Sequence, residues 1–174
     1  GLVTKMALHR AGIAVSHLSR VGHGFTSTRF GMLVLNRVWT AIEERYLRER
    51  AVRSLEGPVA AMRLLYRRLR DNGIVSISVH PAAQTPLRVP FLNGTVTIAT
   101  GAPDLAYATG APVLPVFTVR DATGTFVVTV EPPLDIVEGA SRRESSERVV
   151  RQYVERLEHY VARYPGQWLG WLDP

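Results

Sequence analysis

The amino-acid sequence predicts an α/β fold with a mostly parallel central sheet flanked by helices. Two short β-branched runs, "IAVSHL" (Ile13 to Leu18) and "IVSISV" (Ile74 to Val79), are separated by segments of helical periodicity. Strand, helices and strand in that order are the grammar of a βαβ unit. A chain of 174 residues, 46% of them hydrophobic, is long enough to enclose one core, so a single domain over residues 1–174 is expected.

Residues 1–11 read as the end of a helix, stopped by Gly12 ahead of the first strand. "SRVGHGFTSTRFG" follows, and Gly22, Gly24 and Gly31 mark it as a loop. Phe30, Val34, Val38, Ile42 and Tyr46 then share one helical face. A second helix opens at Pro58 and turns Val59, Met62, Leu65 and Leu69 inward, with Arg63, Arg67, Arg68 and Arg70 on its other faces. The Arg-rich region 45–70 is expected to be helical, and Asn72-Gly73 ends it before the second strand.

The tetrapeptide Thr-Gly-Ala-Pro occurs twice, at 100–103 and 109–112. Pro103-Asp104 suits a first helical turn, whereas Gly110 suits a left-handed cap and Pro112 forbids continuation. The pair therefore brackets a two-turn helix. "VLPVFTV" (Val113 to Val119) reads as a buried strand and "TFVVTVEP" (Thr125 to Pro132) as its neighbour across the turn "RDATG". A last helix begins near Ser141, whose spacing to Glu144 fits a capping box, and carries Val150, Tyr153, Leu157, Tyr160 and Tyr164 on one face until Pro165-Gly166.

Composition excludes several function classes. The chain has no cysteine, so it holds neither a disulfide nor a thiolate metal site, and no apolar run reaches the roughly 18 residues of a membrane span. Net charge is +6, and Lys5 is the sole lysine among twenty-one basic residues. Guanidinium groups suit phosphate and carboxylate partners, although arginines on solvated helix faces would give the same composition.

Signatures of P-loops, dinucleotide folds, zinc proteases and serine hydrolases are absent from the sequence. The five histidines are too scattered for a local metal pattern, and no metal site is expected. His17, inside an apolar strand, and His159, on a polar helix face, read as structural. His23 and His80 each follow a strand, where open α/β sheets bind ligands. From Asn72 to Pro103 there is no Asp or Glu, yet His80 and Arg88 lie there; such a surface suits an anionic or neutral ligand, and equally a proline-rich connection packed on the sheet.

"GIVSISV", "VPFLNG", "ATGAPDLAYATGAPVLPVFTVRDATGTFVVTVEPPL" and "YPGQWLGWL" together resemble the lysophospholipid acyltransferase superfamily, in its branch of lipid A (lauroyl/myristoyl) and mycobacterial phosphatidylinositol mannoside acyltransferases. The resemblance covers nearly the whole chain. It implies transfer of an acyl group from an acyl-CoA or acyl-carrier-protein thioester to a hydroxyl of a membrane lipid or glycolipid, with no further cofactor. The implied partners are the thioester donor, the lipid acceptor and an anionic membrane surface, with no nucleic acid, and the implied place is the cytoplasmic face of the cell membrane, peripherally bound.

The family's catalytic motif, H-x-x-x-x-[D/E], is missing. The fifth residues after the histidines are Ala14, Gly22, Thr28, Thr85 and Tyr164. In the family this motif opens the helix that leads to a glycine and strand such as Gly12 and "IAV", and the chain starts at Gly1 without Met, so the dyad is expected upstream and the chain is read as the C-terminal portion of the acyltransferase. Within the chain, Arg50 and His80 are assigned to the chemistry, and Arg20, His23, Arg29 and Arg88 to substrate binding. A family acidic position falls on His80 or Pro81, and the family's "PEQW" becomes Pro165-Gly166-Gln167-Trp168, losing a charge. A catalytically inactive lipid-binding relative and a basic nucleic-acid-binding module are the alternatives.

Overall fold

The computed structural model describes residues 1–20, 34–53, 58–79, 86–136, 139–168 and 170. The chain divides into two compact units, residues 1–78 and 79–174.

In the first unit, α1 (Leu2–Arg10) ends ahead of Gly12, whose φ of +77° is a conformation glycine adopts without cost. It leads to β1 (Val15–Arg20), α2 (Asn36–Glu44), β2 (Glu49–Arg53), α3 (Pro58–Arg70) and β3 (Ile74–Ile77). The three strands form a parallel sheet in the order β2-β1-β3. Ser16, His17 and Leu18 of β1 face Glu49, Arg50 and Ala51 of β2, and Val75, Ser76 and Ile77 of β3.

α3 supplies the cover for this sheet. Ala61 and Leu65 are buried, and Leu65 is fully so, a burial worth about 1.5–3 kcal/mol for such a side chain. The helix ends as expected at Asn72-Gly73: Asn72 takes φ +55° and the Gly73 N–H donates to the Arg68 carbonyl at 2.7 Å. A Cβ on Gly73 would meet that same carbonyl oxygen at 2.7 Å, which is why glycine stands there.

Three expectations are corrected here. The region 45–70 is not helical throughout, because β2 occupies Glu49–Arg53; the neighbour β1 recruits it by burying Ala51. Val59, expected to face inward, is 56% exposed. The first strand also runs two residues later than its apolar pattern, so Arg20 is its last residue rather than a loop residue.

In the second unit, β4 (Pro86–Phe91) and β5 (Gly94–Ala99) form an antiparallel hairpin, α4 (Gly101–Thr109) follows, β6 (Val116–Arg120) pairs antiparallel with β7 (Phe126–Val130), and α5 (Arg142–Arg163) closes on a 3-10 turn, Pro165–Gln167. The core joins Val89, Phe91, Ile98 and Phe117 to Val150, Val154, Leu157 and Val161 of α5. Tyr160 stacks on Phe117 with centroids 4.1 Å apart. Burial in this core pushes the Tyr153 phenol up to about 12.

The bracketing role of the repeated tetrapeptide holds: α4 starts at Gly101 and ends on Gly110 at φ +70°. The capping box holds as well, with the Glu144 N–H donating to Ser141 Oγ and the Ser141 N–H donating to Glu144 Oε2 at 2.9 Å. The mostly parallel sheet is corrected in extent. Among the described residues three strands are parallel and four belong to antiparallel hairpins, and of β6 only Phe117 is buried, since a two-stranded ribbon leaves alternate residues uncovered.

Candidate functional site

The C-terminal edge of the parallel sheet is where open α/β folds bind ligands. Arg20 ends β1 and Arg53 ends β2, and the two are register partners, so the ladder sets two arginines next to each other at that edge. β3 ends at the same edge with Ile77, beside Leu18. His23 and Arg29, which follow β1 in sequence, and His80, which follows β3, lie outside the described residues.

Arg50 lies three residues before Arg53 on β2, an odd spacing that assigns it to the other face of the sheet. It is the register partner of His17, which faces Ser76 on its other side, so the three share one face of the sheet. His17 is 3% exposed, and its Nδ1 lies 3.2 Å from Ser76 Oγ. The Arg50 Nε is 3.2 Å from a Glu44 carboxylate oxygen without the angle of a hydrogen bond. Close by, Lys5 of α1 and Glu43 of α2 form a buried ion pair. Burial holds the Lys5 ammonium below its ordinary value, Glu43 opposes that shift, and the Arg50 charge adds to it.

The opposite face is a closed structural network. Glu49 accepts from the Arg68 Nε, from Arg68 Nη2 at 2.9 Å and from Ser16 Oγ at 2.8 Å. These bonds, the Arg68 pair foremost, hold the Glu49 carboxyl below its ordinary value. Arg68 thereby ties α3 to the sheet edge that carries Arg50.

Arg88 belongs to the second unit. It is exposed on β4, and its Nε donates to Thr95 Oγ1 of β5 at 2.8 Å, so it stays on the hairpin's outer side. An open groove of about 360 Å³ lies between β6, β7 and α5, lined by Val119, Val127, Thr129, His159, Tyr160 and Arg163; none of the sequence-assigned site residues contributes to it. Among the described residues no group of His, Asp and Glu is arranged to hold a metal ion, and no helix is long and apolar enough to cross a membrane.

The sequence motifs of the second unit turn out to be tethers. Asp104 accepts from Ser146 Oγ at 2.7 Å and from Thr100 Oγ1 at 3.0 Å, fastening α4 to α5. Gln167 closes two bonds with the Arg120 backbone, and Trp168 packs on Phe91 with centroids 5.8 Å apart. Sequence reasoning missed Arg53, the Lys5–Glu43 pair and the Ser76 partner of His17. All three depend on strand register or on helices distant in sequence, which no local pattern records.

No match is found among curated proteins. The family model of bacterial lipid A biosynthesis acyltransferases matches residues 13–174, from just before β1 to the last residue. That span takes in the parallel sheet, the Arg20–Arg53 edge and both hairpins, and the chain belongs to the bacterial lipid A biosynthesis acyltransferase family.

Proposed function

We propose that this chain carries the substrate-binding part of an O-acyltransferase that moves a fatty acyl group from an acyl-CoA or acyl-carrier-protein thioester to a hydroxyl of a membrane lipid or glycolipid. Membership of a lipid acyltransferase family over residues 13–174 carries the reading. The placement of Arg20 and Arg53 at the ligand-binding edge of the sheet supports it.

In this reading the acceptor hydroxyl attacks the thioester carbonyl, the C–S bond breaks, and the thiol leaves as the new ester forms. The hydroxyl proton goes to a histidine paired with a carboxylate. The chain itself contains no H-x-x-x-x-[D/E], so none of its histidines is assigned to that dyad. Arginine as a residue type at this edge suits a donor phosphate or a carbonyl oxygen as it gains charge. Arg50 and His80 are assigned to the chemistry and His23, Arg29 and Arg88 to substrate binding, as the family resemblance implies. The enzyme works as a peripheral protein on the cytoplasmic face of an anionic membrane.

The test is thiol release from acyl-CoA and from acyl carrier protein by the natural protein, with Arg20→Ala and Arg53→Ala variants. Loss of roughly 10²–10³ in kcat/KM for either variant, as for removal of an oxyanion-type donor, agrees with the reading. Unchanged kcat/KM in both would remove the sheet edge from the active site.

A further inference from the structure

Helix α3 has two faces of opposite character. Ala61, Met62, Leu65 and Leu69 turn toward the sheet, together with Arg68, whose charge is consumed by Glu49. On the other side stand Val59, Arg63, Tyr66, Arg67 and Arg70, all exposed. At 100° per residue these five fall within an arc of about 100°, and they run for roughly 16 Å along the axis. The helix contains no Asp or Glu, and no ion pair engages Arg63, Arg67 or Arg70 among the described residues.

We infer that this outward face of α3 is the surface by which the protein docks on an anionic lipid bilayer, an inference that rests on the lipid acyltransferase reading. Three features select a bilayer over other anionic partners. The guanidinium groups are unpaired and aligned, so their attraction to a plane of anionic headgroups adds. Val59 is 56% and Tyr66 38% exposed on the same arc, and a valine and a tyrosine beside arginines match the boundary where headgroups meet acyl chains. The family is one of lipid A biosynthesis, so its chemistry serves a lipid product.

Charge at a helix C-terminus also complements the helix dipole, which accounts for Arg67 and Arg70. It does not account for Arg63, a full turn earlier, nor for the exposed Val59 and Tyr66.

The experiment is flotation with vesicles of neutral phosphatidylcholine alone and of phosphatidylcholine with about 30% phosphatidylglycerol by mole, which gives an anionic surface. The natural protein is compared with the triple variants Arg63→Gln/Arg67→Gln/Arg70→Gln and Arg63→Lys/Arg67→Lys/Arg70→Lys. The expected result is binding to anionic vesicles only, weakened about 100-fold in the glutamine variant, retained in the lysine variant and fading as salt rises. Circular dichroism and the melting temperature establish that both variants fold. Undiminished vesicle binding by the folded glutamine variant overturns the inference, and so does charge-dependent binding to a soluble acidic protein or to DNA without affinity for vesicles. Thiol release with detergent-dispersed acceptor, measured in parallel, separates the two readings: a glutamine variant that turns over normally in detergent but no longer floats supports the docking face. Loss of thiol release in every protein would sink the acyltransferase while leaving the vesicle result to decide the face.

Discussion

The side-chain amide of Gln167 forms two 2.7 Å hydrogen bonds with the backbone of Arg120: its Nε2 donates to the Arg120 carbonyl, and its Oε1 accepts from the Arg120 N–H. One side chain thus mimics a further strand residue at the end of β6. Gln167→Ala removes both bonds and is expected to cost about 1–2 kcal/mol. Gln167→Glu keeps one acceptor and turns a charge on the carbonyl, so it recovers little. Urea-unfolding midpoints of the three proteins check this.

Lys5 and Glu43 stand or fall as a pair. Removing one partner leaves the other buried and uncompensated, so Lys5→Met alone is expected to destabilise by about 3–5 kcal/mol. Lys5→Met with Glu43→Leu returns most of that loss, because the desolvation cost of both ions disappears. A double-mutant cycle in denaturant measures the coupling, and an additive result would contradict the buried pair.

Glu49 gives the fold an acid-sensitive clasp. Its carboxyl is held below the ordinary value of 4.5 by Arg68 and Ser16, so the folded state binds its proton less readily than the unfolded chain. The stability it contributes is fully present above 4.5 and is lost as pH falls through the lower, folded value. Unfolding midpoints between pH 6 and 3 (an interval of about three units around the carboxylate range) are expected to fall more steeply in the natural protein than in Glu49→Gln.

Tyr153 behaves in the opposite sense. Its phenol is raised from 10.0 to about 12 by burial, so its neutral form contributes stability that is complete below 10.0 and is lost as pH rises toward 12. Absorbance of phenolate on titration, with the Tyr153→Phe curve subtracted, is expected to show one phenol ionising above the ordinary transition, separate from Tyr160, which is also raised. A Tyr153 that titrates near 10.0 would contradict the packed aromatic core.

Much of the fold was legible where local chemistry dictates geometry. Gly12, Gly110, Asn72-Gly73 and the Ser141–Glu144 box all act as their residue types demand. β2 was not legible, because Glu49, Arg50 and Arg53 look helical in isolation and become a strand only by pairing with β1. β4 was hidden by Pro86 and Pro90. Both have the same parity along the strand, and a two-stranded ribbon has an open edge on which a missing N–H costs nothing.

The candidate site divides the same way. Arg20 was assigned by resemblance, whereas its neighbour Arg53 emerges only from the register. Arg50 was assigned by resemblance, and the structure adds its register partner His17. The most recognisable motif residues, Asp104, Gln167 and Trp168, hold helices and hairpins together, so family resemblance there reports architecture.

The most direct test of the central claim is product analysis. The natural protein is incubated with an isotope-labelled acyl thioester and lipid A precursor or another membrane glycolipid, and the lipid fraction is examined by mass spectrometry alongside the released thiol. The account predicts one labelled ester formed on a lipid hydroxyl for each thiol released. Thiol release into water without labelled lipid, or no release from either donor, would contradict it.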